Sequence, residues 1–216
     1  MYFLDKFLPK ETKELRKRLI EHELWKKIAN GTLEKKRLGI FTLQDYWLVN
    51  QAPRIDSLTI ASLQNKELQN LLIARLTKNT TYESLIDFGI GVGLTKKDFE
   101  NIVPIAGCMA LTTFFYWMID YSSDIEKIAA IMTSVSIFSD ICMKIYKPLM
   151  KYYNLTEKQV EFFSIHETNE GDVAEITNFI ESHFQTKEER KMIAKAIHVS
   201  HKFELMFYDT ILFTSI

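Results

Sequence analysis

An all-α fold, built as a single-domain multi-helix bundle, is what this 216-residue chain predicts, on three observations. Only seven Gly and four Pro interrupt it, about 5% of positions against an average near ~12%, so turns are few and long helices are favoured. Apolar residues recur at three- and four-residue steps over most of the length, which is the helical period. No unit of ~20 to 50 residues repeats, which sets a solenoid aside. The scarcity of turn residues also excludes a β-sandwich or a collagen-like chain. At roughly 150 residues per domain, residues 1–216 suit one domain with a sizeable core.

The elements follow in order. Between Glu11 and Ile28, Leu15, Leu19, Ile20, Leu24, Trp25 and Ile28 share one helix face, and Asn30-Gly31 stops the helix. Thr32 has the character of an N-cap for a second stripe, Leu38, Phe41, Leu43, Trp47 and Leu48, with Pro53 marking a kink or a restart. Ser57 to Leu76 and Thr81 to Phe88 continue the series, and Thr95-Lys96-Lys97-Asp98 reads as a capped restart. The alternating glycines 89, 91 and 93 have neither the G-x-G-x-x-G spacing nor the strand-to-helix setting of a dinucleotide site. Ile102 to Ile119 is uncharged and nearly long enough to span a membrane, but Pro104, Gly107, Thr112 and Thr113 interrupt it and no basic flank follows. It reads as a buried core helix. Ile125–Met150, closed at Asn154-Leu155-Thr156, then Glu157–Phe184 and Lys187–Phe213, complete the bundle.

Charge narrows the function classes. The 27 Lys and Arg nearly balance the 28 Asp and Glu, for a net charge of −1, and no Lys/Arg block occurs. Nucleic acid is therefore not an expected partner, because phosphate binding needs a concentrated basic face. Cys108 and Cys142 both lie in apolar stretches, a pattern of neither disulfide framework nor zinc site, and it points to a reducing compartment. The N-terminus lacks a basic start followed by a long apolar run, so a cytoplasmic location is expected.

Four residues that can carry chemistry interrupt apolar or aromatic helix faces: Asp45, Asp140, His166 and Glu204. A buried carboxylate is costly unless something compensates it, so each implies a structural partner or a task. The alternative reading of each is an ordinary solvated or capped position.

Two runs resemble a known family. His22-Glu23-Leu24-Trp25, Asn30-Gly31-Thr32-Leu33 and Phe41-Thr42-Leu43-Gln44-Asp45-Tyr46-Trp47-Leu48 look like the N-terminal signature of the TenA, or thiaminase II, proteins. Ser200 to Asp209, with its Phe203-Glu204 pair, resembles that family's closing helix. The resemblance implies a heme-oxygenase-like helical fold, a homo-oligomer (tetramer or dimer), no cofactor, and a pocket for an aminopyrimidine. By the same resemblance Asp45 holds the pyrimidine ring and Glu204 is acid and base, a role suited to a glutamate whose pKa burial has raised. Tyr46 and Trp47 would supply flat surfaces for the ring, and Phe203 is counted among the substrate-binding residues.

The middle of the chain departs from the family pattern. Where a nucleophilic cysteine is expected, the run Ala129 to Ser136 places Ser134. A hydroxyl needs a well-placed base to attack at all, whereas a thiol is partly ionised near neutrality. Cys142 lies eight residues on, roughly 80° around the helix from Ser134, and Cys108 reads as a core residue. This resembles the cysteine-lacking branch, for which carboxylate-driven hydrolysis of an amino- or formylaminomethyl-pyrimidine is expected. Asp140 occupies the place of a family glutamate and is expected to support the site, while His166 falls near a pocket tyrosine and suggests a changed ligand preference.

Two further functions compete. The fold also hosts di-iron oxidases, for which His166 with Glu170, and His198 with His201 and Glu204, have helical spacings. His198 and Glu204, however, diverge by about 120° around one helix, which disfavours a shared ion. Haem would need an axial histidine, and His22 is the sole N-terminal candidate, in a polar Glu-His-Glu setting. The other alternative is a pyrimidine-binding or regulatory protein without turnover. His183, His198 and His201 otherwise read as surface or hydrogen-bonded histidines.

Overall fold

The computed structural model describes residues 8–76, 82–167, 170–183 and 186–214, and excludes the side chains of 75, 82, 167, 170–173 and 183. Thr81, and the side chains of Glu170 and His183, thus lie outside the described residues. Among those described there are ten α-helices and no strand: α1 (Lys10–Ile20), α2 (Glu23–Ala29), α3 (Lys35–Ser62), α4 (Lys66–Leu76), α5 (Tyr82–Gly91), α6 (Ala106–Tyr121), α7 (Asp124–Tyr153), α8 (Glu161–Glu167), α9 (Glu170–His183) and α10 (Lys187–Phe213).

Several boundaries move for identifiable reasons. The first amphipathic run is two helices, because His22 adopts an extended backbone and its Nδ1 accepts from the Leu24 amide as the N-cap of α2. His22 is buried rather than solvated, and its Nε2 lies 3.0 Å from Asp209 Oδ1. Asn30 ends α2 and Gly31 turns the chain at φ 70°, a conformation that suits glycine. The N-cap of α3 is Glu34, without a side-chain bond, and not Thr32. The helix then runs through Pro53 without a restart, giving up one backbone hydrogen bond rather than ending. Thr95 and Asp98 form the anticipated capping box, but at a single 3₁₀ turn, Lys96–Phe99.

Residues 102–105 are not helical, so α6 is shorter than the apolar run suggested, and Met109 and Trp117 on it are exposed. Among the described residues, one helix, α7, is long and apolar enough to cross a membrane by length and composition. More than half of that stretch is buried against its neighbours.

The chain builds its core in two main clusters. One gathers Trp25, Phe41, Phe88, Phe162, Phe163, Phe207 and Tyr208 from α2, α3, α5, α8 and α10 around α7. The other packs Leu68 and Leu72 of α4 and Phe179 of α9 against Ile128 and Met132 of α7 and Ile197 of α10. Each fully buried large apolar side chain contributes about 1.5–3 kcal/mol, so α7 and α10, present in both, are the spine. Helix α10 packs most extensively on α6 and α7. Gly107 makes the α6 approach possible: a Cβ there would fall 2.6 Å from the Met206 carbonyl oxygen and 2.9 Å from Phe207 Cα.

Candidate active site

A cavity of about 210 Å³ opens between α3, α6, α7, α8 and α10. Its placement follows from helical geometry. On α3, Asp45, Leu48, Val49 and Ala52 line it at steps of three and four, one stripe along the helix. On α7 the same spacing brings Ile131, Ser134, Val135 and Phe138 to the opposite wall, and on α10 it brings Glu204, Phe207 and Tyr208. Phe162 and His166 of α8, one turn apart, close one side.

Of the residues singled out in the sequence, Asp45, Ser134, His166 and Glu204 meet in this cavity. Tyr46, Trp47, Asp140 and Phe203 do not line it. Tyr46 and Trp47 sit 100° and 200° around α3 from Asp45. Tyr46 packs edge-on against Phe99 at 4.9 Å, and Trp47 packs, half-buried, against the main core. Phe203 faces α6, where it stacks on Phe114 at 4.8 Å. Asp140 points to α1 and takes a 2.6 Å ion pair from Arg16, whose guanidinium also donates to Ser136 Oγ at 3.3 Å.

Glu204 is the best braced group. Tyr208 Oη donates to its Oε1 at 3.0 Å and Ser134 Oγ donates to Oε2 at 3.4 Å. Ser134 Oγ also lies 3.2 Å from Ser200 Oγ, which reaches the Ala130 carbonyl at 3.4 Å. Burial pushes the Glu204 carboxyl up to about 8, against the opposing pull of Tyr208, Ser134 and the Arg16 charge. The Tyr208 hydroxyl is pushed well above its ordinary range, by burial first and then by Glu204. It therefore acts as a donor.

Asp45 is buried, with Oδ2 lacking any hydrogen-bond partner, and burial raises its pKa to about 7. A buried carboxyl oxygen without a partner is costly, and here a ligand donor entering the cavity would satisfy it. The His166 Nδ1 lies 2.7 Å from the Phe162 carbonyl; a carbonyl only accepts, so that nitrogen carries a proton. The ring packs on Phe162 and edge-on to Phe138, at 4.5 and 5.2 Å.

No cysteine lines the cavity. The Cys108 Sγ donates to the Gln44 carbonyl at 3.3 Å, and burial, with the nearby Asp45 charge, pushes the thiol up to about 12. Cys142 is buried in the main core. Both histidines of α10 proposed as alternative ligands face α1, away from the cavity. His198 Nδ1 lies 3.0 Å from Thr12 Oγ1. His201 departs from the expectation of a surface or hydrogen-bonded residue: it is fully buried and neither ring nitrogen has a partner. Burial, with the Arg16 and His198 charges, lowers its pKa to about 3, so the imidazole is neutral. Among the described residues no three His, Cys, Asp or Glu side chains converge as a metal site would require.

Sequence reasoning missed Tyr208, Phe207, Phe138 and Phe162 as site residues. The signal existed: each lies three or four residues from Glu204, Ser134 or His166, on the same helix face.

Solved structures share this architecture. A TenA homologue from Pyrococcus furiosus superposes with a TM-score of 0.79 over 97% of this chain and 100% of its own, at 16% identity. A TenA homologue from P. horikoshii OT3 gives 0.76 at 19% identity, covering 98% of each chain. A domain with a heme oxygenase-like fold from Shewanella denitrificans OS217 gives 0.81 at 12% identity, over 94% of this chain and 89% of its own. At such identities the likeness shows the fold, which is heme-oxygenase-like. No curated protein matches in sequence. Residues 10–212 match the TENA/THI-4/PQQC family, and by that match over nearly its whole length the chain belongs to this family.

Proposed function

We propose that the cavity binds an aminopyrimidine of thiamin metabolism and hydrolyses it by carboxylate acid–base chemistry, without a cysteine nucleophile. The observation that carries this reading is the pair of carboxyls, Asp45 from α3 and Glu204 from α10, both held near neutral pKa values at one aromatic-walled cavity. A carboxyl that titrates near neutrality both gives and takes protons at working pH.

In this mechanism Asp45 grips the ring, its unpartnered oxygen accepting from the exocyclic amine. Phe138, Phe162 and Phe207 supply the apolar surface for the ring. The Glu204 carboxylate takes a proton from water, and the oxygen of that water attacks the formyl carbon, or the methylene carbon that bears the aminomethyl nitrogen. The C–N bond then breaks and Glu204 returns the proton to the departing nitrogen, which leaves as an amine or as ammonia. Tyr208 and Ser134 hold the carboxylate in position throughout. Ser134 serves as a donor to Glu204 rather than as a nucleophile.

The test is to supply 4-amino-5-aminomethyl-2-methylpyrimidine and its formyl derivative and follow ammonia or formate release beside binding heat. Release is expected, with a loss of at least ~100-fold in Glu204→Gln, affinity retained in that variant, and weaker binding in Asp45→Asn. Binding without release by the parent protein would instead leave a pyrimidine-binding protein.

We further propose that the protein self-associates through α6. Met109, Trp117 and Tyr121 are exposed on that helix, eight and four residues apart, and Trp117 stacks on Tyr121 at 5.4 Å. Exposed aromatic rows of this kind favour a self-complementary interface.

A further inference from the structure

The first three turns of α10, remote from Glu204, form one wall of a second cavity, and its chemistry is the opposite of the first. This groove, of about 500 Å³, lies between α10 and the first turn of α1. Lys187, Arg190, Lys191, Lys195 and His198 line it from α10. At 100° per residue the five fall within an arc of about 140°, so a single helix face carries them all. Among the described residues, Glu11 is the one acidic residue that lines the groove.

Such a face is unfavourable for the helix itself. Lys187 and Lys191, and again Lys191 and Lys195, are like charges at i, i+4, which repel. Little within the protein relieves them. Lys191 reaches Glu188 at 3.5 Å, but both side chains are about three-quarters exposed, and such pairs are weak in water. Lys187 and Lys195 have no carboxylate partner among the described residues. The Thr186–Glu189 capping box holds the start of α10 in place despite this repulsion.

The facing wall adds donors. Pro9 caps α1 without a side-chain hydrogen bond, and its carbonyl takes the Thr12 and Lys13 amides, which leaves the Lys10 and Glu11 N–H groups and the positive end of the helix at that wall. Thr12, buried, meets His198 Nδ1 at 3.0 Å and ties the two walls together.

We propose that this groove binds a small polyanion of the phosphate class, a diphosphate or triphosphate, free or esterified. Its dense positive charge calls for several negative charges in a small volume, which a chain of phosphates offers and a single carboxylate does not. A polymer fits less well. The protein carries a net charge of −1, and beside the groove Glu14 and Glu188 pair with Lys10 and Lys191. The positive field is therefore local rather than an extended track for nucleic acid.

The experiment is calorimetric titration of the full chain with inorganic tripolyphosphate and with ATP, at low and at physiological ionic strength, with heparin as a polymeric control. Binding of tripolyphosphate that weakens with salt, and by about tenfold or more in the double variant Lys187→Gln/Lys195→Gln, is expected. Tighter binding of ATP would identify the esterified form, and equal or weaker binding the free one. Both lysines are exposed, and an unchanged thermal melt of the double variant shows that its fold is intact. Retained tripolyphosphate affinity in Glu204→Gln separates this groove from the pyrimidine cavity. The proposal is overturned by any of three results: no binding by the parent chain at about 1 mM tripolyphosphate in low salt, undiminished affinity in the double variant, or binding of heparin alone.

Discussion

Glu204 and Asp45 illustrate how position along a helix and burial together make a reactive group. Both carboxyls are raised by desolvation, so the folded protein holds a proton on each at pH values where the unfolded chain has lost it. Their contribution to stability is therefore full below the unfolded carboxylate range, and it is lost as pH rises through about 7 and 8. Thermal melts of the parent should fall over that interval, while Glu204→Gln, which is neutral at every pH, should melt higher than the parent at pH 9. A parent melting temperature that stays flat from pH 5 to 9 would contradict the burial of these groups. The same residues show what could be read in advance. A lone acid amid apolar neighbours is visible in the sequence at 45 and 204, and both reach the cavity. Asp140 has the same local signature, yet Arg16, distant in sequence, captures it on the other side of α7.

At the scale of elements, α10 has three separate tasks along its length. Its first turns carry the basic groove, its middle buries His201 against α1, and its last turns bring Glu204, Phe207 and Tyr208 to the cavity. The packing of α6 keeps that last segment in register. Because a Cβ at Gly107 meets the α10 backbone at Met206 and Phe207, which cannot give way, as well as the Thr210 hydroxyl, Gly107→Ala should destabilise the protein by about 1–3 kcal/mol. Chemical denaturation would measure this, and ligand affinity should fall with it as Phe207 shifts. A neutral or stabilising effect, as expected for Gly→Ala in a free helix, would refute the close approach. Periodicity located nearly every helix but misjudged the joints. The break at His22 rests on a cap and on a partner, Asp209, that lies far along the chain. The passage through Pro53 depends on packing that spacing does not report.

For the whole molecule, the exposed row on α6 leads to a prediction about assembly. Light scattering should give the mass of a dimer or tetramer, and Trp117→Lys with Tyr121→Lys should lower it without unfolding the chain. A monomeric mass for the parent would rule that assembly out. The all-helical class and the family could be read from the chain alone, since scarce Gly and Pro, the 3.6-residue period and two short end motifs are local properties that survive without knowledge of neighbours. The cavity walls, the orphaned His201, the Arg16–Asp140 pair and the basic groove could not. The groove's lysines are spaced among glutamates as α10 begins, so no charge block shows in the sequence, and helical rotation against α1 is what gathers them. Which face of a helix meets which partner depends on contacts between residues up to ~190 positions apart in sequence, and that packing of one element on another decides whether a charged side chain becomes a reactive group, a structural pair or part of a binding surface.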